Sequence, residues 1–328
     1  MKKITRSSSL TGNLAMENCA KPTQQRAELE KENEEIRKRG QDTAKLYVLD
    51  ANETLKDITQ KLYENTNTSD AVKECIQKEK RKFYLFSYDS DGFAVKGYLS
   101  LPTDTAPPLP LLILLRGGNR EFGLPYPREL SIQPGYALIT TTYRGGVSEG
   151  KDEFGGEDVN DVKNLVEYLP TLEKKLNIAF HPENKYMIGI NRGGMQLFLA
   201  LGRYPILQQK IKKAVSISGL LDLALAIEDR ADFKAFLTES FGYSSDEKGR
   251  AWIAKRQPLN YVSHIKNIPI LIAQGTKDTR VCLKEGYNFL EALQAHGHKA
   301  TYVEIEGGDH VLVNTPDFLP VLMDWLAQ

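Results

Sequence analysis

Asn191, Asp278 and His310 are the residues whose types, order and surroundings point to chemistry. Gly189-Ile190-Asn191-Arg192-Gly193-Gly194 follows the Gly-x-Ser-x-Gly-Gly pattern of a nucleophile elbow. Such an elbow is the tight strand-to-helix turn that presents a hydroxyl for acyl transfer. The strand is expected over 185–190 (KYMIGI) and the helix from Arg192 onward. The third position of the pattern holds Asn. A carboxamide has no proton whose removal yields a useful nucleophile, whereas Asn tolerates the positive φ that the turn demands. The substitution is therefore expected to keep the shape of the elbow and remove its hydroxyl.

The other two members follow in the order nucleophile, acid, histidine. Asp278 lies in the segment 274–281 (QGTKDTRV), just after the apolar run IPILIA at 268–273, and His310 closes Glu306-Gly307-Gly308-Asp309-His310 after ATYVEI at 300–305. Both fall on loops beyond the carboxyl ends of expected strands, where functional groups gather in open α/β sheets. His310 would act as base and Asp278 would fix its tautomer. Backbone N–H groups of Arg192 and of Gly117 or Gly118 are the expected oxyanion donors. Tyr143 and Arg144 follow another strand end and are expected to line the pocket. Cys282, near Asp278, could replace the nucleophile, although a small buried residue is the favoured reading. Ser216 and Ser218 read as strand packing, and His296-Gly297-His298 as a surface loop rather than a metal site. No metal and no cofactor is implied.

Beyond the elbow, several segments resemble the prolyl oligopeptidase family (peptidase family S9) of α/β-hydrolases, from about residue 83 to the end. Leu111 to Asn119 (LLILLRGGN) is similar to the strand entering that family's oxyanion loop, where His-Gly-Gly is more usual than Arg116-Gly117-Gly118. Tyr143-Arg144-Gly145-Gly146 and the stretch 154–162 (FGGEDVNDV) resemble its next loop and helix, and Gly275–Asp278 and Gly307–His310 its acid and histidine segments. The resemblance implies hydrolysis of a peptide amide or ester through an acyl-enzyme, with a small peptide or ester as substrate or ligand. Asn191 departs from the pattern and removes ordinary turnover from that expectation.

These residues need a scaffold, and the apolar pattern supplies one. Strands are expected at 83–88 and 93–100, joined by the turn Asp89-Ser90-Asp91-Gly92, then at 111–115, 136–142, 185–190, 213–218, 268–273 and 300–305. Helices are expected near 157–176, 192–204, 284–296 and 315–327. The alternation predicts a mostly parallel, doubly wound α/β sheet over residues 82–328, with a short helical insertion at about 220–258. Residues 46–81 are expected to be helical over 52–79 and to pack on the core. Residues 1–45 lack aromatic residues and read as a flexible or helical tail, with a helix over 26–39 and a route for a protein partner. The upstream length is short for the β-propeller of larger relatives.

Lys and Arg total 43 and Asp and Glu total 43, so no electrostatic argument favours nucleic acid or an acidic membrane. No apolar run reaches the ~20 residues of a membrane span. Cys19, Cys75 and Cys282 are odd in number and widely spaced, which implies no disulfide framework. The amino terminus has no apolar h-region, so a cytoplasmic location is expected, with leaderless export as the alternative. Three functional readings stay open: a hydrolase inactivated at Asn191, a non-catalytic relative that binds a ligand or protein partner, and an enzyme using a different nucleophile, deamidated Asn191 among them.

Overall fold

The computed structural model describes residues 4–7, 23–266, 268–312 and 315–328, with side chains from residue 29 onward. Ten strands form one sheet: β1 (Ile4–Ser7), β2 (Leu55–Asp57), β3 (Arg81–Ser90), β4 (Phe93–Pro102), β5 (Leu109–Leu115), β6 (Ala137–Thr141), β7 (Phe180–Ile190), β8 (Lys213–Ile217), β9 (Ile270–Gly275) and β10 (Ala300–Ile305). Their spatial order is β1-β10-β9-β8-β7-β5-β6-β4-β3-β2. The strands from β10 to β6 run parallel, while β4, β3, β2 and β1 pair antiparallel at the two edges. The central strands read as apolar runs because helices cover both faces of the sheet; β8 and β9 are buried at every position.

Eleven helices are described: α1 (Thr23–Ala44), α2 (Thr59–Glu64), α3 (Asp70–Gln77), α4 (Asn160–Leu176), α5 (Arg192–Arg203), α6 (Pro205–Lys210), α7 (Leu223–Asp229), α8 (Ala231–Phe241), α9 (Glu247–Arg256), α10 (Leu283–Ala295) and α11 (Phe318–Ala327). On one face of the sheet α4, α5 and α10 pack on Leu111, Ile113, Leu115, Met187, Ala214 and Ile272. On the other, α2, α3 and α11 cover Leu112, Ile188, Val215, Leu271 and Val303. This is the period-two alternation of a strand divided between two cores. Helix α4 shows the matching helical period, with Val162, Leu165, Val166, Leu169 and Leu172 buried. It stops at Asn177, which takes the left-handed conformation with φ 51°.

Two expectations are corrected. Residues 52–79 are not continuously helical. Leu55 pairs with Phe86 on the edge of the sheet, and Asn65 accepts the backbone N–H of Asn67 in a local turn that separates α2 from α3. Residues 1–45 are not a free tail along their described length. Ile4–Ser7 pairs antiparallel with β10, and α1 lies on the main domain, where a Cβ on Gly40 would fall 1.9 Å from the Glu121 carbonyl oxygen. Its sparse apolar positions concealed this, since the contact depends on a missing side chain and on polar groups. Residues 8–22, including Cys19, lie outside the described residues. The insertion at 220–258 is built from α7, α8 and α9.

Candidate active site

The chain order of β5, β6 and β7 reverses direction across the sheet, because β6 and β7 flank β5 on opposite sides. A crevice opens beyond the carboxyl ends of the strands at such a switch point, and there β5 delivers Gly117 and β7 delivers Asn191. The turn at Asn191 is sharp, with φ 53° and ψ −120°. It is possible because the backbones on either side touch: a Cβ on Gly189 would lie 2.3 Å from the Gly193 carbonyl oxygen, and one on Gly193 would lie 1.9 Å from that of Leu115. Any side chain at either position would push α5 off the sheet.

The structure brings Asn191, His310 and Asp278 together. Asn191 Nδ2 donates to His310 Nε2 at 2.9 Å, and Asn191 Oδ1 accepts the backbone N–H of Arg192 at 2.6 Å. These two bonds fix the orientation of the amide. Because Nε2 accepts, the ring proton resides on Nδ1, which donates to both carboxylate oxygens of Asp278 at 2.9 Å. The Asp278 side chain is 1% exposed and that of His310 14%. Burial pushes the Asp278 carboxyl up, but His310 and the N–H groups of Val281 and Arg280 outweigh it and hold it below the ordinary 3.8. The acid and histidine loops brace each other through the Lys277 N–H, which donates to the Gly308 carbonyl at 2.8 Å, and the histidine loop is tied to the end of β8 by the Val311 N–H, which donates to Ser218 Oγ at 3.2 Å.

Gly117 adjoins the elbow, where a Cβ would sit 2.9 Å from Asn191 Cβ. Gly118, with φ 68°, is folded against Phe122, and its carbonyl accepts from Arg192 Nη1 at 3.0 Å. Arg116, in place of the more usual His, is buried and donates to the carbonyls of Thr142, Gly117 and Phe122. It thereby ties down the loop that follows β5. Desolvation, helped by the nearby charge of Arg192, lowers its pKa to about 10.

The pocket expectation for Tyr143 and Arg144 is corrected. Tyr143 is fully buried, donates its hydroxyl to the Arg116 carbonyl and lies within 5.4 Å of both the Arg116 and Arg192 guanidinium carbons. Arg144 is buried and bonded to Asp161 and Asp91. Both side chains are buried in protein contacts around the loop after β6. Cys282 is the N-cap residue of α10, as its reading as a small residue opening the next helix implied.

Sequence reasoning missed what underlies the elbow. The Arg192 side chain turns inward, fully buried, and is held by Asp152 at 2.7 and 2.9 Å and by Asp158, with Phe154 4.5 Å from its guanidinium carbon. The unusual Phe-Gly-Gly-Glu-Asp run signalled a built loop but not its partner. Also missed was α1, whose Asn33 and Glu32 meet Arg280, two residues beyond Asp278, at 2.7 and 3.0 Å.

Comparison with known proteins agrees with this architecture. Residues 128–328 match the prolyl oligopeptidase family. The chain is 26% identical over 260 residues to the dipeptidyl aminopeptidase BIII of Pseudoxanthomonas mexicana, covering 73% of this chain and 37% of that protein. It is 26% identical over 173 residues to the acylamino-acid-releasing enzyme of Homo sapiens, covering 49% of this chain and 22% of that protein. The matches thus span well under half the length of these curated relatives. Among solved structures, the acylaminoacyl peptidase of Pyrococcus horikoshii superposes with a TM-score of 0.64 at 20% identity, covering 79% of this chain and 44% of that one. An acylaminoacyl peptidase in complex with Z-Gly-Gly-Phe-chloromethyl ketone gives 0.63 at 19% identity, covering 78% and 43%. The fold is that of the α/β-hydrolases, and with three-fifths of its length matched by the family model the chain belongs to the prolyl oligopeptidase family.

Proposed function

We propose that this chain carries the scaffold of a serine-type hydrolase acting on peptide amides or esters, with Asn191 in the nucleophile position and no ordinary turnover as it stands. The observation that carries the reading is the amide of Asn191, held between His310 Nε2 and the Arg192 N–H. A hydroxyl on the same Cβ would meet a base already oriented by Asp278, next to a backbone donor suited to an oxyanion. The curated relatives named above are a dipeptidyl aminopeptidase and an acylamino-acid-releasing enzyme, which favours a short peptide or an acylated amino acid as the ligand of this crevice. Loss of the nucleophile from such a constellation costs on the order of 10⁶ in kcat, while donors and binding retain roughly 10³–10⁴ over water.

Replacement of the nucleophile tests this. The protein as it stands is expected not to react with a fluorophosphonate probe or to turn over short acyl esters. Asn191→Ser should gain both, with ester hydrolysis rising by about 10² or more, and His310→Ala in that background should abolish them. A folded but inert Asn191→Ser variant would move the function to binding alone.

A further inference from the structure

The elbow amide is presented as a substrate of the groups around it, and this has a chemical consequence for Asn191 itself. In amide hydrolysis a site needs a donor on the carbonyl oxygen, a proton source on the leaving nitrogen and a base for water. Asn191 has each of these. Its Oδ1 accepts the Arg192 N–H at 2.6 Å, and its Nδ2 lies 2.9 Å from His310 Nε2. Asp278 keeps the basic lone pair of the imidazole directed at that nitrogen. The His310 side chain is 14% exposed, so the imidazole is not sealed from solvent.

We infer that Asn191 is a self-modification site, at which His310 catalyses hydrolysis of the Asn191 carboxamide to the carboxylate of aspartate. As Nδ2 releases its hydrogen bond to His310 Nε2, water adds to Cγ and gives one proton to the freed lone pair, and the negative charge on the former Oδ1 is held by the Arg192 N–H. The Cγ–Nδ2 bond then breaks as His310 returns the proton to Nδ2. Ammonia leaves, and the carboxylic acid formed at 191 ionises. One water is consumed and one ammonia released, with no change of oxidation state. The inference rests on the same placement of Asn191 and His310 as the proposed function but not on any external substrate. A competing path, attack of the Arg192 backbone nitrogen on Cγ, would consume the N–H that now starts α5 and would yield isoaspartate.

The test is peptide mass spectrometry of the full chain after timed incubation in heavy-oxygen water. One heavy oxygen should enter at residue 191, as α-aspartate. The folded protein should react roughly 10² or more faster than the same residue in the chain unfolded in urea, the range expected for a positioned general acid–base. His310→Ala and, as a second variant, Asp278→Asn should lose that acceleration while retaining native circular dichroism. A folded-state rate at or below the unfolded one overturns the inference and needs no variant. Predominant isoaspartate overturns the His310 route. This readout is independent of Asn191→Ser: an inert serine variant beside a labelled Asn191 would sink the hydrolase reading alone, and an active serine variant beside an unlabelled Asn191 would sink only the self-modification.

Discussion

At the scale of single residues, Arg192 carries two separable duties. Its backbone N–H faces the amide of Asn191, while its side chain neutralises Asp152 and Asp158 in the interior. Burial alone would push Asp152 up, yet the Arg192 charge and its hydrogen bonds hold this carboxyl below the ordinary value. Removing the cation strands two buried carboxylates, a loss of about 3–5 kcal/mol for a broken buried pair. Arg192→Leu is therefore expected to lower the denaturant midpoint sharply, and Asp158→Asn added to it should restore part of the loss. An unchanged midpoint in Arg192→Leu would show that the network contributes no stability. The backbone donor, by contrast, survives any side chain at 192.

At the scale of elements, the elbow depends on β7 and α5 meeting without side chains between them, and α1 sets the surroundings. The middle of α1, at Glu32 and Asn33, meets Arg280 of the acid loop, and its carboxyl-terminal part, at Gly40, meets Glu121 in the loop after β5. The helix thus bridges two loops that flank the candidate site. Tyr47, just beyond α1, continues the attachment by donating to the Pro125 carbonyl at 2.7 Å. Truncation through Ala44 removes this bridge together with strand β1. It is expected to lower Tm by about 5 °C or more, since each kcal/mol shifts a domain of this size by roughly 2–4 °C. A Tm unchanged by the truncation, followed by circular dichroism, would return the segment to the status of an appendage.

At the scale of the whole molecule, pH links these parts. Asp278 and Asp152 titrate below their ordinary 3.8 in the folded chain. Their contribution to stability is thus fully present above 3.8 and is lost as pH falls through the folded values. Glu285 behaves oppositely: burial raises its carboxyl well above 4.5, so its contribution is complete below 4.5 and lost as pH rises through the folded value. Thermal unfolding is expected to show Tm falling steeply below about pH 4, the range in which paired carboxylates take up protons. Glu285→Gln should raise Tm at pH 8 and leave the acid limb in place. A Tm flat down to pH 3 would contradict the pairing of Asp278 and Asp152. Among the described residues no helix is long and apolar enough to cross a membrane.

The alternating apolar runs determined the doubly wound sheet by themselves, because strands covered on both faces must be apolar at nearly every position, as β8 and β9 are. The order of Asn191, Asp278 and His310 and their places after strand ends were also legible, since a switch-point crevice collects strand-end loops. Edge strands β1 and β2 were not legible, because three or four residues with one partner carry no period. Tyr143 and Arg144 were misplaced for a related reason: a strand end locates a backbone, while packing against Arg116, Arg192 and Asp161 decides where the side chain goes. Only the tertiary structure could show that Asp152 and Asp158 meet Arg192, that Gly40 of α1 rests on Glu121, and that the Asn191 amide has both its oxygen and its nitrogen engaged. Each of these joins residues at least 34 positions apart or turns on a hydrogen-bond direction, and neither quantity is encoded in local pattern.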